Sequence, residues 1–182
     1  MMRVFVGLGV PNEVAEGLML LQGGVPGARW ATREQLHLTL RFIGEVDGSQ
    51  LSDIDDALAS IAAPGFRLEL HGLGTFGSRD PRQLWAGVRP NEALMHLQKK
   101  IETGLQRIGL PAEPRKFTPH VTLARLRAPR RDKLMEYLQA HALYASAPFE
   151  VDAFLLYRST LTPNGSLYTV EREYPLAPPQ NL

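Results

Sequence analysis

Apolar residues along this chain follow first a strand-like and then a helix-like spacing, and this order occurs twice. An extended apolar segment at residues 3–8 precedes Pro-Asn-Glu at 11–13, and a similar segment at 83–88 precedes Pro-Asn-Glu at 90–92. Residues before a proline prefer extended backbone, and proline followed by an acidic residue suits the first turn of a helix. Apolar residues at helical spacing then follow in both halves. The pattern predicts a strand and then a helix at the start of each half.

A strand, a helix and another strand are expected next in each half. Residues 36–46 and 117–126 are rich in Leu, Val, Thr and Phe, and both are followed by a turn signal and a helical pattern. The alternating segments 66–70 and 149–153 close the halves at an offset of 83 residues. We predict one domain over residues 1–182, with repeats at about 1–79 and 80–160. A hairpin at 161–174, turning at Asn-Gly, completes it.

The tetrapeptide His-x-Thr-Leu lies in both strands that follow the first helices. It begins at His37 and again at His120, where chance composition predicts roughly 0.04 copies. Packing the repeats about a two-fold axis would place these strands on opposite walls of a groove. Strand alternation then puts one set of side chains on the walls and the other in the cores. The wall residues expected are His37, Thr39 and Arg41 on one side, and His120, Thr122 and Ala124 on the other. The core residues expected are Leu38, Leu40, Phe42, Val121 and Leu123.

A lone histidine on a strand is more often structural than catalytic, but matched positions in two repeats favour catalysis for His37 and His120. The other three histidines have no repeat partner and are expected to be structural. The threonine two residues after each histidine shares its face, so Thr39 and Thr122 can donate hydrogen bonds to a bound anion.

Composition narrows the classes of chemistry. The chain has no Cys, which excludes disulfides, thiolate metal sites and a Cys nucleophile. Two histidines without a third ligand fall short of a typical zinc site, so no metal is expected. No apolar run approaches the ~20 residues of a membrane span, and the N-terminus lacks the features of a signal peptide. A cytoplasmic location is therefore expected.

Charge is distributed unequally between the halves. Residues 1–80 carry six basic and ten acidic side chains, whereas residues 81–182 carry fourteen basic and nine acidic ones. Seven basic residues and one acidic residue lie between positions 115 and 133, around His120. A solvated helix start would explain such a patch alone. Its place around His120 favours an anionic partner such as a phosphate.

Two histidines with hydroxyl and basic neighbours suit phosphodiester hydrolysis. Near neutral pH, one histidine can accept a proton while the other donates one. Hydroxyl and guanidinium groups can stabilise the charge that the phosphoryl oxygens gain. The residues alone leave the two histidines interchangeable in these roles.

The sequence resembles the two-histidine phosphoesterases, specifically the bacterial and archaeal RNA 2',3'-cyclic phosphodiesterases, also called 2'-5' RNA ligases. The matching segments are 29–30, 36–44, 117–125, 156–159 and 163–165 with Tyr168. The resemblance implies a bilobal α+β fold in which duplicated strand–helix–strand–helix–strand units place antiparallel sheets along a V-shaped central cleft.

The resemblance also implies hydrolysis of a 2',3'-cyclic phosphate end to a 2'-phosphate. It makes His37 the proton donor to the 3'-oxygen and His120 the proton acceptor from water, and it places Arg125 near the phosphate. Simple alternation would point Arg125 away from His120, so a bulge or strand twist is needed. No cofactor is expected, and the reverse reaction would be an ATP-independent 2'-5' ligation. The expected partner is RNA with 2',3'-cyclic phosphate ends, tRNA fragments being one source, and a monomer is expected.

Two other functions remain open at this stage. The chain could be another cyclic phosphodiesterase of the superfamily, acting on ADP-ribose cyclic phosphate or 2'-5' oligoadenylate. It could also be a non-catalytic RNA-binding module that keeps the basic cleft, although both histidines are intact.

Overall fold

Strands and short helices alternate along the chain in a computed structural model that describes residues 1–77 and 79–179. The strands are β1 (Met2–Gly9), β2 (Ala28–Trp30), β3 (His37–Val46), β4 (Phe66–Leu68), β5 (Leu70–Phe76), β6 (Gln83–Val88), β7 (His120–Leu126), β8 (Phe149–Val151), β9 (Ala153–Thr162) and β10 (Gly165–Pro175). The helices are α1 (Asn12–Met19), α2 (Gly48–Ala59), α3 (Glu92–Arg107) and α4 (Arg131–Ala140), with a 3-10 turn at Arg33–Gln35. The predicted α+β class is confirmed.

One large antiparallel sheet contains most of the strands. Its order is β10-β9-β1-β3-β7-β6-β5, with β2 pairing beside β7, while β4 and β8 form a separate two-stranded sheet. β3 and β7, which carry the repeated motif, are therefore neighbours in the middle of the large sheet. The two histidines meet at this central pair of strands.

Strands from the two halves pair at equivalent residues. β3 meets β7 at Leu38 and Val121, and the centre of the β4–β8 pair is Arg67 opposite Glu150. Each of these pairs is separated by 83 residues in the sequence. Antiparallel pairing of equivalent residues places a local two-fold axis at each pair. This geometry agrees with the duplication read from the sequence, whose boundaries remain a prediction.

The core lies on the side of the large sheet that faces the helices. Asn91 caps α3 by accepting from the Leu94 backbone N–H, and α3 then packs against β3 and β4 through the buried apolar residues Leu94, Leu97, Ile101 and Leu105. Burying each such side chain contributes about 1.5–3 kcal/mol. Within the described residues, no helix has the length and apolar character needed to cross a membrane.

Both motif strands contain a β-bulge at the same place. In β3, Thr39 and Arg41 pair with consecutive residues of β1, so Leu40 is the extra residue. In β7, Thr122 and Ala124 pair with consecutive residues of β6, so Leu123 is the extra residue. From each histidine onward, the burial pattern is the same over six residues: half-buried, buried, half-buried, buried, buried, exposed. A bulge reverses the alternation of side chains beyond it. The sixth residue of each motif therefore returns to the histidine face.

Three predicted strands differ from the structure in their boundaries. The segments 66–70 and 149–153 were each expected to be one strand, but each breaks at its fourth residue, Glu69 or Asp152, where the chain passes from the small sheet to the large one. Residues 117–119 were expected to lie in a strand and do not, because Pro119 has no backbone N–H to contribute to a ladder.

Candidate active site

His37 begins β3 and is fixed by two local contacts. Its Nδ1 lies 2.7 Å from the carbonyl oxygen of Gln35, to which it donates, and its Nε2 lies 2.8 Å from the hydroxyl oxygen of Thr39. The bond to the carbonyl fixes the hydrogen on Nδ1 in the neutral ring and leaves the Nε2 lone pair available. Proton transfer to or from a ligand would therefore occur at Nε2.

His120 begins β7 and repeats this arrangement. Its Nδ1 donates to the carbonyl oxygen of Thr118 over 2.7 Å, again two residues earlier in the chain. Its Nε2 is 3.3 Å from the side-chain amide nitrogen of Gln83, which also donates to the hydroxyl of Thr122. Each histidine thus presents Nε2, with a threonine two residues later on the same strand face.

Register brings the two motifs together. Because β3 and β7 are antiparallel and pair at Leu38 and Val121, His37 lies towards Thr122 and His120 lies towards Thr39. Both imidazoles lie on the same face of these adjacent strands, and the charge that His120 can carry lowers the pKa of His37. The structure therefore brings together His37, Thr39, His120 and Thr122, all expected from the sequence.

Burial lowers the pKa of both imidazoles. It is the largest influence on His37, lowering its pKa; the Gln35 carbonyl acts in the opposite direction, and nearby His120 lowers the pKa further. Burial likewise lowers the pKa of His120 against the opposing effect of the Thr118 carbonyl. Both rings are therefore biased towards the neutral form.

The rings around the two histidines differ. Phe5, Tyr157 and Tyr168 surround His37, with ring centroids 4.8, 5.8 and 5.0 Å from its imidazole. Phe76 meets His120 edge-on at 4.9 Å, and Trp85 lies at 6.2 Å. His37 is therefore enclosed by aromatic rings, whereas His120 has a polar side chain, Gln83, at its reactive nitrogen.

Arg125 is the sixth residue of the second motif and lies on the same strand face as His120 and Thr122. The bulge at Leu123 supplies the reversal that simple alternation lacked. Its side chain is exposed, and its backbone pairs with Gln83 on one side and Arg29 on the other. The guanidinium is therefore available to an anion on this face, and its contact with a phosphate remains a prediction.

Three expectations about the walls and cores are wrong for the same reason. Arg41 was expected beside His37 but is 7% exposed, bonded to the Glu102 carboxylate and to the carbonyls of Phe42 and Pro111. Ala124 was expected on the other wall but is buried, and Phe42 was expected in the core but is 39% exposed. The bulges at Leu40 and Leu123 place these residues on the opposite faces.

The final hairpin closes over the His37 side of the site. The side chain of Arg29 donates to the carbonyl of Asn164 over 3.2 Å, and that of Gln35 donates to the carbonyl of Ser166 over 2.9 Å. Gly165 has a φ of +114°, which glycine adopts without strain, as the Asn-Gly turn signal indicates. The hairpin is thereby fixed to the segment that precedes His37, with Tyr168 against the imidazole.

Sequence reasoning missed Gln83 and Phe5. These residues hold matching positions: Gln83 faces Arg125, the sixth residue of its motif, and Phe5 faces Phe42, the sixth residue of the other. A superposition of the halves on the paired strands would have matched them, but the apolar pattern matched Phe5 with Trp85 instead.

Among residues 1–77 and 79–179, no three His, Asp or Glu side chains come together in a way that could hold a metal ion.

The geometry combines two proton-transfer groups with hydroxyl donors and a nearby guanidinium. Comparisons with known proteins identify the family of the chain. The family model of the 2'-5' RNA ligase superfamily matches residues 16–162. The chain is 34% identical to a Thermotoga maritima protein named RNA 2',3'-cyclic phosphodiesterase over 93% of this chain and 92% of that protein. It is 32% identical to a protein of the same name from Methanocaldococcus jannaschii over 95% and 100% of the two chains.

Solved structures share this fold. A Thermus thermophilus protein superimposes with a TM-score of 0.81 at 28% identity, over 97% of this chain and 99% of that one. LigT of E. coli, in a complex with 3'-AMP, superimposes with a TM-score of 0.79 at 26% identity, over 96% and 98%. The family match spans both histidine motifs and most of the fold. The chain therefore belongs to the 2'-5' RNA ligase superfamily.

Proposed function

We propose that this protein hydrolyses RNA 2',3'-cyclic phosphate ends to 2'-phosphomonoesters, using His37 and His120 as an acid–base pair. One observation carries the proposal: each histidine binds a backbone carbonyl through Nδ1 and presents Nε2 beside a threonine of the same strand face. The names of the relatives support RNA as the substrate class.

The proposed reaction breaks one phosphorus–oxygen bond and forms another. Water attacks phosphorus and gives a proton to Nε2 of His120, and the bond to the 3'-oxygen breaks as that oxygen takes a proton from Nε2 of His37. The phosphate remains on the 2'-oxygen. Proton transfer by a positioned side chain typically contributes ~10²–10⁴-fold to the rate.

The hydroxyls and the guanidinium have a separate role in this proposal. Thr39, Thr122 and Arg125 bind the phosphoryl oxygens, whose negative charge grows in the transition state. A ribose 2'-oxygen is required to form the cyclic phosphate, so DNA ends are excluded as substrates. The reverse reaction, attack of a 5'-hydroxyl on the cyclic end, would yield a 2'-5' linkage without ATP.

The direct test is incubation with nucleoside 2',3'-cyclic phosphates and RNA bearing the same end, followed by mapping of the phosphate position. A 2'-phosphate product is expected, and activity should survive exhaustive EDTA treatment because the sequence presents no typical zinc ligand set. A 3'-phosphate product would reverse the proposed leaving group. Loss on chelation with recovery on adding one metal would contradict the metal-free mechanism.

Other substrates of the superfamily can be separated in the same assay. ADP-ribose cyclic phosphate and 2'-5' oligoadenylate should be poorer substrates than cyclic-ended RNA. RNA binding without turnover of any of these substrates would instead indicate a non-catalytic binding module.

A further inference from the structure

Gln83 lies at the position where the two halves of the site differ most. Its side-chain amide nitrogen donates to the Thr122 hydroxyl and is 3.3 Å from Nε2 of His120. In the other half, the matching backbone position holds Phe5, whose ring is 4.8 Å from His37 and cannot donate a conventional hydrogen bond to it. The two Nε2 atoms therefore have different partners.

These partners tolerate protonation differently. The Thr39 hydroxyl can rotate, so it can donate to Nε2 of a neutral His37 or accept from that of a protonated one. An amide N–H can only donate, so the Gln83 amide suits a neutral His120 and opposes the imidazolium, in which Nε2 carries a hydrogen. Hydrogen bonding to the neutral form disfavours the charged form.

We propose that Gln83 is a positioning residue that presents its amide N–H to Nε2 of His120, favouring the unprotonated imidazole that a general base requires. The amide also donates to the Thr122 oxygen, and this second hydrogen bond leaves the Thr122 hydroxyl hydrogen to donate to a bound anion. The proposal rests on the proposed hydrolysis and makes the two histidines chemically unequal.

Other charged or titratable groups around His120 do not supply this inequality. β6 contributes none, and β5 contributes only His71, whose side chain is exposed. β3 contributes His37 on the same face, while Arg41 is buried on the other face and paired with Glu102. β7 contributes Arg125, and β2, which pairs with it, contributes Arg29; both side chains are exposed. Gln83 is thus the neighbour that acts directly on the reactive nitrogen.

Imidazole NMR titration without substrate tests this contact independently of turnover. Gln83→Met removes the N–H and should raise the pKa of His120, and His37 should change only through the charge of His120, which lowers its pKa. Gln83→Glu should raise it further, because a carboxylate accepts from the imidazolium and carries an opposing charge. The near-isosteric Glu variant also keeps the test available if the Met variant does not fold.

Gln98→Met is the matched control. The side-chain amide of Gln98, in α3, donates to the carbonyl of Leu40 over 3.3 Å. This contact lies where α3 packs on β3, so the substitution removes a similar hydrogen bond away from both histidines. The control should leave both histidine titrations as they are in the wild type. A fall or no change in the pKa of His120 in the Gln83 variants, or a shift confined to His37, would overturn the proposal.

Kinetics supply the second readout. Between pH 7 and pH 5, kcat/KM of Gln83→Met should decrease roughly three- to ten-fold more than that of the wild type, because one hydrogen bond that favours neutral His120 is lost. An acidic limb that stays in place would also overturn the proposal. If the NMR shifts occur but no form of the protein hydrolyses cyclic phosphates, the proposed function fails while the Gln83 contact stands.

Discussion

The His37 half and the His120 half of the site share a backbone but not a set of neighbours. Both histidines open a strand, bond to the carbonyl two residues earlier and precede a bulge at the same distance. Three aromatic rings surround His37, whereas an amide, a phenyl ring, an indole and an exposed arginine lie around His120. Duplication thus provides two equivalent reactive nitrogens, and the neighbouring side chains make them unequal.

The largest expected effect comes from removing either histidine. His37→Ala and His120→Ala should each lower kcat by ~10²–10⁴-fold, the usual loss for an acid or base. Circular dichroism should show both variants folded, because each imidazole is only half-buried. A variant that kept more than about a tenth of the wild-type rate would exclude that histidine from the proposed role.

A substrate with a better leaving group should separate the two roles. Replacing the 3'-bridging oxygen of the cyclic phosphate with sulfur gives a thiolate, which leaves without a proton. This substrate should restore much of the activity of His37→Ala but little of that of His120→Ala. Rescue of His120→Ala instead would mean that His120 is the acid and His37 the base.

Dependence on pH tests whether the two rings act as a pair. As pH falls, the base becomes protonated, and as pH rises, the acid loses its proton, so kcat/KM should be bell-shaped. Burial lowers the pKa of both rings, which moves both limbs to lower pH. The optimum should therefore lie below pH about 6.5, with a decline of about tenfold per pH unit outside the limbs.

The limbs belong to the coupled pair rather than to His37 or His120 separately. A flat profile between pH 5 and pH 9 would contradict a two-histidine mechanism. Repeating the measurement in His37→Ala should remove the alkaline limb, if His37 is the acid, and leave the acidic one.

The sixth residue of each motif provides the next contrast. Arg125→Ala should lower kcat/KM by about 10- to 100-fold on mononucleotide and RNA substrates alike, because a charge-assisted hydrogen bond contributes about 1.5–3 kcal/mol. Phe42→Ala, at the matching position of β3, should change it by less than about threefold, since an exposed side chain contributes little. Equal losses would mean that both residues serve the fold rather than the phosphate.

The sequence predicted the paired motifs, but beyond them alternation placed Arg41, Phe42 and Ala124 on the wrong faces, and only the family resemblance indicated a bulge before Arg125. His37 and Thr39 lie where alternation predicts because they precede the bulge, whereas Arg41 and Phe42 follow it. Nothing local distinguishes Leu40 as an extra residue, since its position depends on pairing with β1, far away in the chain. The break at Glu69 was hidden for a similar reason: residues 66–70 alternate continuously, yet their two parts pair with different strands.

The contacts of Gln83 could not be predicted from local pattern either. A single Gln at the start of an apolar strand has no periodic signal, and its importance arises from its register opposite Arg125. By contrast, the helices follow from spacing and capping: Asp47 and Asn91 accept from backbone N–H groups in the first turns of α2 and α3. Local chemistry sets these elements, whereas long-range pairing sets the site.

The smallest effect concerns the unequal charge of the two halves. Several basic side chains of the 115–133 segment are already paired: Arg115 with Glu113, Arg130 with Asp132 and Lys133 with Glu136. Lys116 and Arg127 are exposed and have no ion pair among the described residues, whereas Arg131, which also has none, donates to the carbonyl of Arg79. These two are therefore the better candidates for contacts with RNA backbone phosphates.

Replacing Lys116 and Arg127 together by Ala should weaken RNA binding modestly and flatten its salt dependence. Each lost contact with a single strand should reduce the slope of log K against log salt by roughly 0.7. Lys99 and Arg107 provide a control of equal charge: both are exposed on α3, which packs on the face of β3 opposite His37. Their replacement should leave the slope unchanged.

Turnover of a mononucleotide, which has no further phosphates to contact, should be nearly the same in both double variants. A loss on the mononucleotide from Lys116 and Arg127 would instead place these residues at the reacting phosphate, and the second half would then contribute chemistry as well as binding beyond its motif.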